Sequence, residues 1–274
     1  MRILFIGDIV GTPGVQFVRR AVPILREREA LDFVVANAEN ASAGSGLYPS
    51  TLRQLKTAQI DAFTMGDHLY KRMDIIPALK GGEPIVKPAN LPAAAPGQDH
   101  IIVTSKAGES LAVISLQGRT FMRPVDCPFQ AADRILSQLP PEVRCILVDI
   151  HAEATADKYL VLHHLSGRVS AVLGTHTHVP TADEHVRPEG TAFICDVGMS
   201  GPYDGILGRR ADRVLSTTLT FVPTPFDVAS GDVRLGGAIV DVDSATGRAT
   251  AIRRIVVTEA DLASWESNSQ PTPS

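Results

Sequence analysis

Val169-Ser170-Ala171-Val172-Leu173-Gly174-Thr175-His176-Thr177-His178 joins the signature of a buried strand to two imidazoles one residue apart. The apolar run, residues 169–173, reads as a strand that a glycine breaks. Histidines just past a strand end can point at neighbouring metal ions from one tight turn, and neutral imidazole is the commonest metal ligand. Alone, the pair also fits an ordinary polar loop. It gains meaning from four other strand ends that carry the same chemistry.

Upstream, residues 2–6 read as a strand broken by Gly7-Asp8-Ile9-Val10-Gly11-Thr12-Pro13-Gly14, with Thr12 as N-cap and Pro13 in the first turn of a helix to about residue 29. A strand at 32–36 ends in Asn37-Ala38-Glu39-Asn40, and a Gly/Ser-rich loop at 41–46 precedes a helix at 49–58. A strand at 60–65 stops at Gly66-Asp67-His68; a helix at 71–79 and an extended piece at 84–86 follow. Two strands at 101–104 and 111–116, a helix at 130–139 and a strand at 145–149 lead to Ile150-His151-Ala152-Glu153 and a helix at 154–165. Downstream the pattern turns to β: strands at 191–196 and 215–222 around a glycine-rich loop at 197–208, then a hairpin of 233–242 with 249–258. The fold class is α/β, in one domain over residues 1–265, with 266–274 expected as a disordered tail.

Composition narrows the classes. The 274 residues are 44% hydrophobic and 20% charged with net charge −4, which argues against a surface that coats nucleic acid and leaves room for a small phosphate substrate. No apolar run approaches a membrane span, and residues 1–6 are too short for a signal peptide. Cys127, Cys145 and Cys195 form neither a zinc pattern nor a disulfide framework, so a reduced, cytoplasmic protein is expected. Apolar strands in the C-terminal half would allow a homo-oligomer.

Open α/β sheets bind ligands beyond the carboxyl ends of their strands. There stand Asp8, Glu39, Asn40, Asp67, His68, His151, His176 and His178. Oxygen and imidazole ligands without thiolate suit Mn, Fe or Zn and are too nitrogen-rich for a calcium cage. Eight candidates exceed the four ligands of one tetrahedral zinc and hint at two ions. Asp8 or Asn40 alone fits a helix cap; all five strand ends together do not. Two metals can clamp a phosphoryl oxygen and support an in-line displacement. His68, beside a ligand without being needed as one, can protonate the leaving alkoxide.

GDIVG (7–11), NAEN (37–40), MGDH (65–68), LQGRTF (116–121), DIHAE (149–153), GTHTHV (174–179) and DVGMSGPYDGILG (196–208) resemble the YmdB-like branch of the calcineurin-like metallophosphoesterases. The resemblance spans most of the chain. It implies a sandwich of two mixed sheets flanked by helices, around a dinuclear Fe or Mn centre. It further implies that Asp8, Asn40 and His178 bind one metal, that Asp67, His151 and His176 bind the other, that Glu39 bridges both, and that His68 is the acid. The implied activity is hydrolysis of phosphodiesters, 2′,3′-cyclic nucleotides in particular, by a metal-bridged hydroxide. The alternatives are a phosphomonoesterase, a nuclease, or a metal-binding regulatory or scaffold protein with weak turnover. The family pattern usually reads GNH where this chain has Gly66-Asp67-His68. The extra negative charge leads us to expect an activity optimum at higher pH.

Other residues have two readings, and for Asn90 the turn is the default. Arg119 and Arg123 suit either a substrate phosphate or the surface, Asn90 a turn or the site, and Glu153 a solvated helix start or the orientation of a ligand.

Overall fold

In the computed structural model, which describes residues 1–268, these segments build two stacked sheets with helices on the outer faces. The chain runs β1 (Arg2–Ile6), β2 (Asp8–Ile9), α1 (Gly11–Arg28), β3 (Phe33–Asn37), α2 (Pro49–Thr57), β4 (Ala62–Thr64), α3 (Ile76–Lys80) and β5 (Ile85–Val86). There follow β6 (His100–Thr104), β7 (Ser110–Gln117), α4 (Pro128–Leu136), β8 (Cys145–His151), α5 (Thr155–Leu165) and β9 (Ala171–Thr175). The last third holds β10 (His185–Val186), β11 (Ala192–Ile194), β12 (Met199–Asp204), α6 (Ala211–Thr220), β13 (Gly231–Asp243), β14 (Arg248–Val257) and α7 (Glu259–Asn268).

One sheet is ordered β2-β12-β13-β1-β3-β4-β5, with β14 also paired to β13; the other is β10-β11-β9-β8-β7-β6. β1, β3, β4 and β5 run parallel, as do β7, β8, β9 and β11. Antiparallel β13, β6 and β10 make both sheets mixed, as the resemblance implied.

Side-chain alternation explains the stacking. Ile3 and Phe5 of β1 join Phe33, Val35, Leu111, Val113, Leu147 and Leu173 in the core between the sheets. Leu4 and Ile6 join Val18, Val22 and Leu25 of α1 on the outer face. Ile146, Val148 and Ile150 likewise join Val161, Leu162 and Leu165 of α5. Strands covered on both faces must be apolar throughout, which is how residues 3–6 and 145–148 read. Each fully buried Phe or Leu contributes about 1.5–3 kcal/mol. This core fixes the parallel strands so that β1, β3, β4, β8 and β9 deliver their carboxyl ends to one edge of the sandwich.

Several boundaries differ from expectation. The strand expected at 215–222 is helix α6, closed by Phe221 in a left-handed conformation (φ 59°). Its Thr-rich sequence favours β, but Thr218 and Thr220 donate their hydroxyls to the carbonyls of Val214 and Ser216, which keeps them in the helix. No residue of α6 is buried, and Leu215, Leu219, Phe221 and Val222 are exposed, so the apolar surface of this region sits on a helix rather than on strands. The loop expected at 197–208 contains β12. Thr12 is no cap: α1 starts at Gly11, with Val10 at the cap position. The helix expected at 71–79 is a 3₁₀ turn, Met73–Ile75, followed by α3. Of the tail expected at 266–274, residues 266–268 belong to α7, where Glu266 pairs with Arg20 at 3.0 Å; residues 269–274 lie outside the described residues. Among the described residues no helix is long and apolar enough to cross a membrane.

Candidate metal centre

Ligand atoms of Glu39, Asp67, His151 and His176 all lie within 4.8 Å of one another, close enough to share one ion. Each comes from a different strand end. Glu39 follows β3, Asp67 follows β4, His151 closes β8 and His176 follows β9. Gly66 makes the approach possible, since a Cβ there would stand 2.1 Å from the His151 ring. His151 Nε2 is 3.1 Å from both Glu39 Oε1 and Asp67 Oδ1, and 2.9 Å from His176 Nδ1. Burial opposes charge on His151, yet Glu39 and Asp67 outweigh it and hold the ring well above its ordinary pKa. Burial likewise works against Glu39 and Asp67, and His151 pulls both carboxyls below their ordinary values. Positive charge therefore belongs where these atoms converge.

Asp8, Asn40 and His178 lie beside this cluster as a looser group. Asp8 is fully buried on β2; its Oδ2 accepts the His176 N–H (3.1 Å), while its Oδ1 has no hydrogen-bond partner and stands 3.8 Å from His178 Nε2. Burial, opposed by His178 and His151, pushes Asp8 up to about 6. An orphaned, buried carboxylate oxygen facing an imidazole nitrogen is what a cation would satisfy. Asn40 turns Nδ2 toward His178 Nε2 (3.2 Å) and accepts at Oδ1 from His68 Nδ1 (2.7 Å). Serving as an oxygen ligand next to Asp8 requires this amide to turn over.

Every candidate histidine has its other nitrogen held by an oxygen, the arrangement that fixes which nitrogen is free to ligate. His151 Nδ1 donates to Thr175 Oγ1 (2.9 Å) and His178 Nδ1 to the Leu207 carbonyl (3.1 Å), leaving Nε2 for a metal in both. His176 is the reverse: Nε2 faces Glu153 Oε2 at 3.3 Å and Nδ1 faces the cluster. Glu153, though exposed, thus stands where it can orient the His176 ring. Charge, spacing and ring orientation all fit a metal.

The HxH turn is strained. His176 and His178 have φ of 98° and 65°, left-handed values that cost about 1–3 kcal/mol each and persist only where the surroundings impose them. Buried Asp196 supplies the constraint by accepting from the Thr177 N–H (3.1 Å) and hydroxyl (2.8 Å), and its charge is matched by buried Lys158 at 2.7 Å. Sequence reasoning assigned no role to Lys158, Asp196 or Asp149. Nothing about a lone lysine in a helix marks it, whereas an aspartate inside the apolar run 145–150 is a usable signal.

Asn90, buried, pins the loop after β7 by accepting from the Gln117 N–H and donating to the carbonyls of Gln117 and Asp126, so it is structural. A cavity of about 540 Å³ near it contains no candidate ligand, and Lys87 and Arg134 there both pair with Asp99.

The family model described as YmdB-like protein matches residues 4–255. The 2′,3′-cyclic-nucleotide 2′-phosphodiesterase of Bacillus subtilis (strain 168) is 43% identical over 94% of this chain and 98% of its own. A hypothetical protein from Thermus thermophilus superposes with a TM-score of 0.89 at 41% identity, covering 94% of this chain and 100% of that one. A novel phosphatase from Mycoplasma pneumoniae gives 0.88 at 26% identity, over 94% and 93%. With the sequence matched over most of its length and the same fold found in its relatives, the chain belongs to the YmdB-like protein family.

Proposed function

We propose that the chain is a metal-dependent phosphodiesterase that opens 2′,3′-cyclic nucleotides. In this reading Asp8, Glu39, Asn40, Asp67, His151, His176 and His178 hold two ions, Fe or Mn, and His68 is the general acid. The convergence of two carboxylates and two imidazoles on one point carries it. The name of the Bacillus subtilis relative supports the substrate class. Bound ions would polarise the phosphoryl group and lower the pKa of a coordinated water.

The chain's own residues handle the leaving group. As water adds to phosphorus, the P–O2′ bond breaks and O2′ must gain a proton, leaving a nucleoside 3′-phosphate. In this reading His68 supplies it. Its Nδ1 lies against the Asn40 side-chain amide (2.7 Å) and its backbone N–H donates to Glu39 Oε2 (3.1 Å), while Nε2 comes no closer than 3.8 Å to Asp67 Oδ2. The side chain is 29% exposed, so a substrate can reach it. Turnover of 2′,3′-cyclic AMP by the manganese-loaded protein tests the reading. Adenosine 3′-phosphate should form, chelation should stop it, and added manganese should restore it. Absence of turnover with two metals bound per chain would overturn the substrate class.

Asp67 tunes the same chemistry. It is an ionised carboxylate held low by His151, and it raises the negative charge of a site that already contains Asp8 and Glu39. More negative charge opposes loss of a proton nearby, so the acid limb of the pH–rate profile should lie higher than with a neutral amide. Asp67→Asn should shift that limb to lower pH; an unchanged profile would sink the idea.

A further inference from the structure

We propose that Asp149, which is no ligand, is the positioning residue of this centre: it orients His151 through Thr175 and Glu39 through Asn37, and thereby sets the affinity for metal. The inference rests on the metal-centre reading above.

Asp149 is fully buried on β8, two residues before His151. Among the described residues no lysine or arginine pairs with it. Its partners are the hydroxyls of Thr64 (2.5 Å) and Thr175 (2.7 Å) and the Asn37 amide nitrogen (3.2 Å). Asn37 and Thr64 close β3 and β4 of one sheet, and Thr175 closes β9 of the other. The carboxylate therefore ties four strand ends together across the sandwich, directly beneath the ligands. A buried carboxylate held without lysine or arginine is costly even beside His151, and an apolar side chain would serve stability better at this depth. That cost points to a role beyond holding the sheets.

Hydrogen-bond direction supplies the role. Thr175 has one hydroxyl proton. Donated to Asp149 Oδ1, it leaves Thr175 Oγ1 as an acceptor for His151 Nδ1–H at 2.9 Å, so the ring keeps its Nδ1 proton and offers Nε2, facing Glu39 and Asp67, to a metal that displaces the other proton. Asn37 is fixed in the same way. Its Oδ1 accepts the Glu39 N–H (3.1 Å) because its Nδ2 is turned to Asp149.

Asp149→Asn preserves shape but breaks this order whichever way the new amide points. With its nitrogen toward Thr175, the threonine proton turns to His151 Nδ1 and places the ring proton on Nε2, where it blocks coordination. With its nitrogen toward Asn37, two donors face each other, and Asn37 must turn its own nitrogen to the Glu39 N–H.

The test is manganese affinity of the full-length chain, measured by competition with a chelator. Asp149→Asn should weaken binding about 10–100-fold, the range for partners that orient metal ligands. Thr175→Val should lose a comparable part, and Thr175→Ser, which keeps the hydroxyl, should restore it. Nitrogen-15 spectra of the zinc-loaded parent should show His151 protonated at Nδ1, a state lost in Thr175→Val. Parent-like affinity in both Asp149→Asn and Thr175→Val would overturn this proposal while leaving the metal centre standing. No manganese binding by the parent would overturn the metal centre, and this proposal with it. If Asp149→Asn does not fold, the Thr175 pair decides.

Discussion

Asp8→Asn should stabilise the protein at pH 7.5 in the presence of chelator and destabilise it, relative to the parent, once manganese is added. The native Asp8 carboxyl, pushed up to about 6, binds its proton more tightly than the unfolded one at 3.8. Between those values the native state holds the extra proton, so stability falls as pH rises through the window. Above pH 6 the full penalty applies, about 3 kcal/mol at 1.36 kcal/mol per pH unit; below 3.8 it is absent. Asparagine removes the penalty, because Oδ1, the oxygen without a partner, no longer carries charge. With metal the sign reverses. An ion that binds only the native state stabilises by about 4.1 kcal/mol at one thousand times its dissociation constant, which exceeds the penalty, and a neutral amide forfeits nearly all of it. Urea unfolding at pH 7.5 and pH 3.5, with chelator and with manganese, gives the four numbers needed. A chelated variant less stable than the parent at pH 7.5 would contradict the account.

That inversion separates a functional centre from a structural one. Residues selected for packing stabilise the fold by themselves, whereas Asp8, the left-handed His176 and His178, and the deeply buried Asp149 all work against it. Their cost is local, and the rest of the sandwich carries it.

The same distinction explains what could be read from sequence. Asp8, Glu39, Asp67, His151 and His176 were legible because each interrupts or follows an apolar run, and parallel strands place such positions on one edge. The core was legible for the same reason, in runs such as residues 3–6 and 145–148. Helix α6 was not. With no buried face, its period was never imposed by a core, and the threonines between Leu215 and Leu219 read as β. The supports of the centre were hidden differently. Asn37, Thr64, Asp149 and Thr175 meet through four strands of two sheets, and Lys158 reaches Asp196 across 38 residues. Neither spacing nor periodicity encodes such meetings; only the stacked sheets do. Nor could sequence tell which way the Asn40 amide faces, since that depends on His68 and His178 lying on either side of it.

His68→Ala should lower turnover of 2′,3′-cyclic AMP by about 10²–10⁴-fold, the range for a positioned general acid, without loss of bound metal. Metal should stay because alanine keeps the backbone N–H that holds Glu39 Oε2, and the imidazole hydrogen-bonds only Asn40 among the candidate ligands, its approaches to Glu39 Oε1 (3.6 Å) and Asp67 Oδ2 (3.8 Å) being longer. The decisive comparison uses two leaving groups. A ribose alkoxide is a poor one and must be protonated as the ester bond breaks, so its departure should suffer the full loss. A nitrophenolate leaves readily without a proton, so hydrolysis of bis(p-nitrophenyl) phosphate should fall far less. If the role of His68 were only to steer Asn40, both substrates would slow together, and Asn40→Asp, which keeps an acceptor for His68 Nδ1, would leave that common factor intact. Equal losses on the two substrates would therefore remove His68 from proton transfer, and unequal losses would identify the atom that receives the proton as the departing ester oxygen.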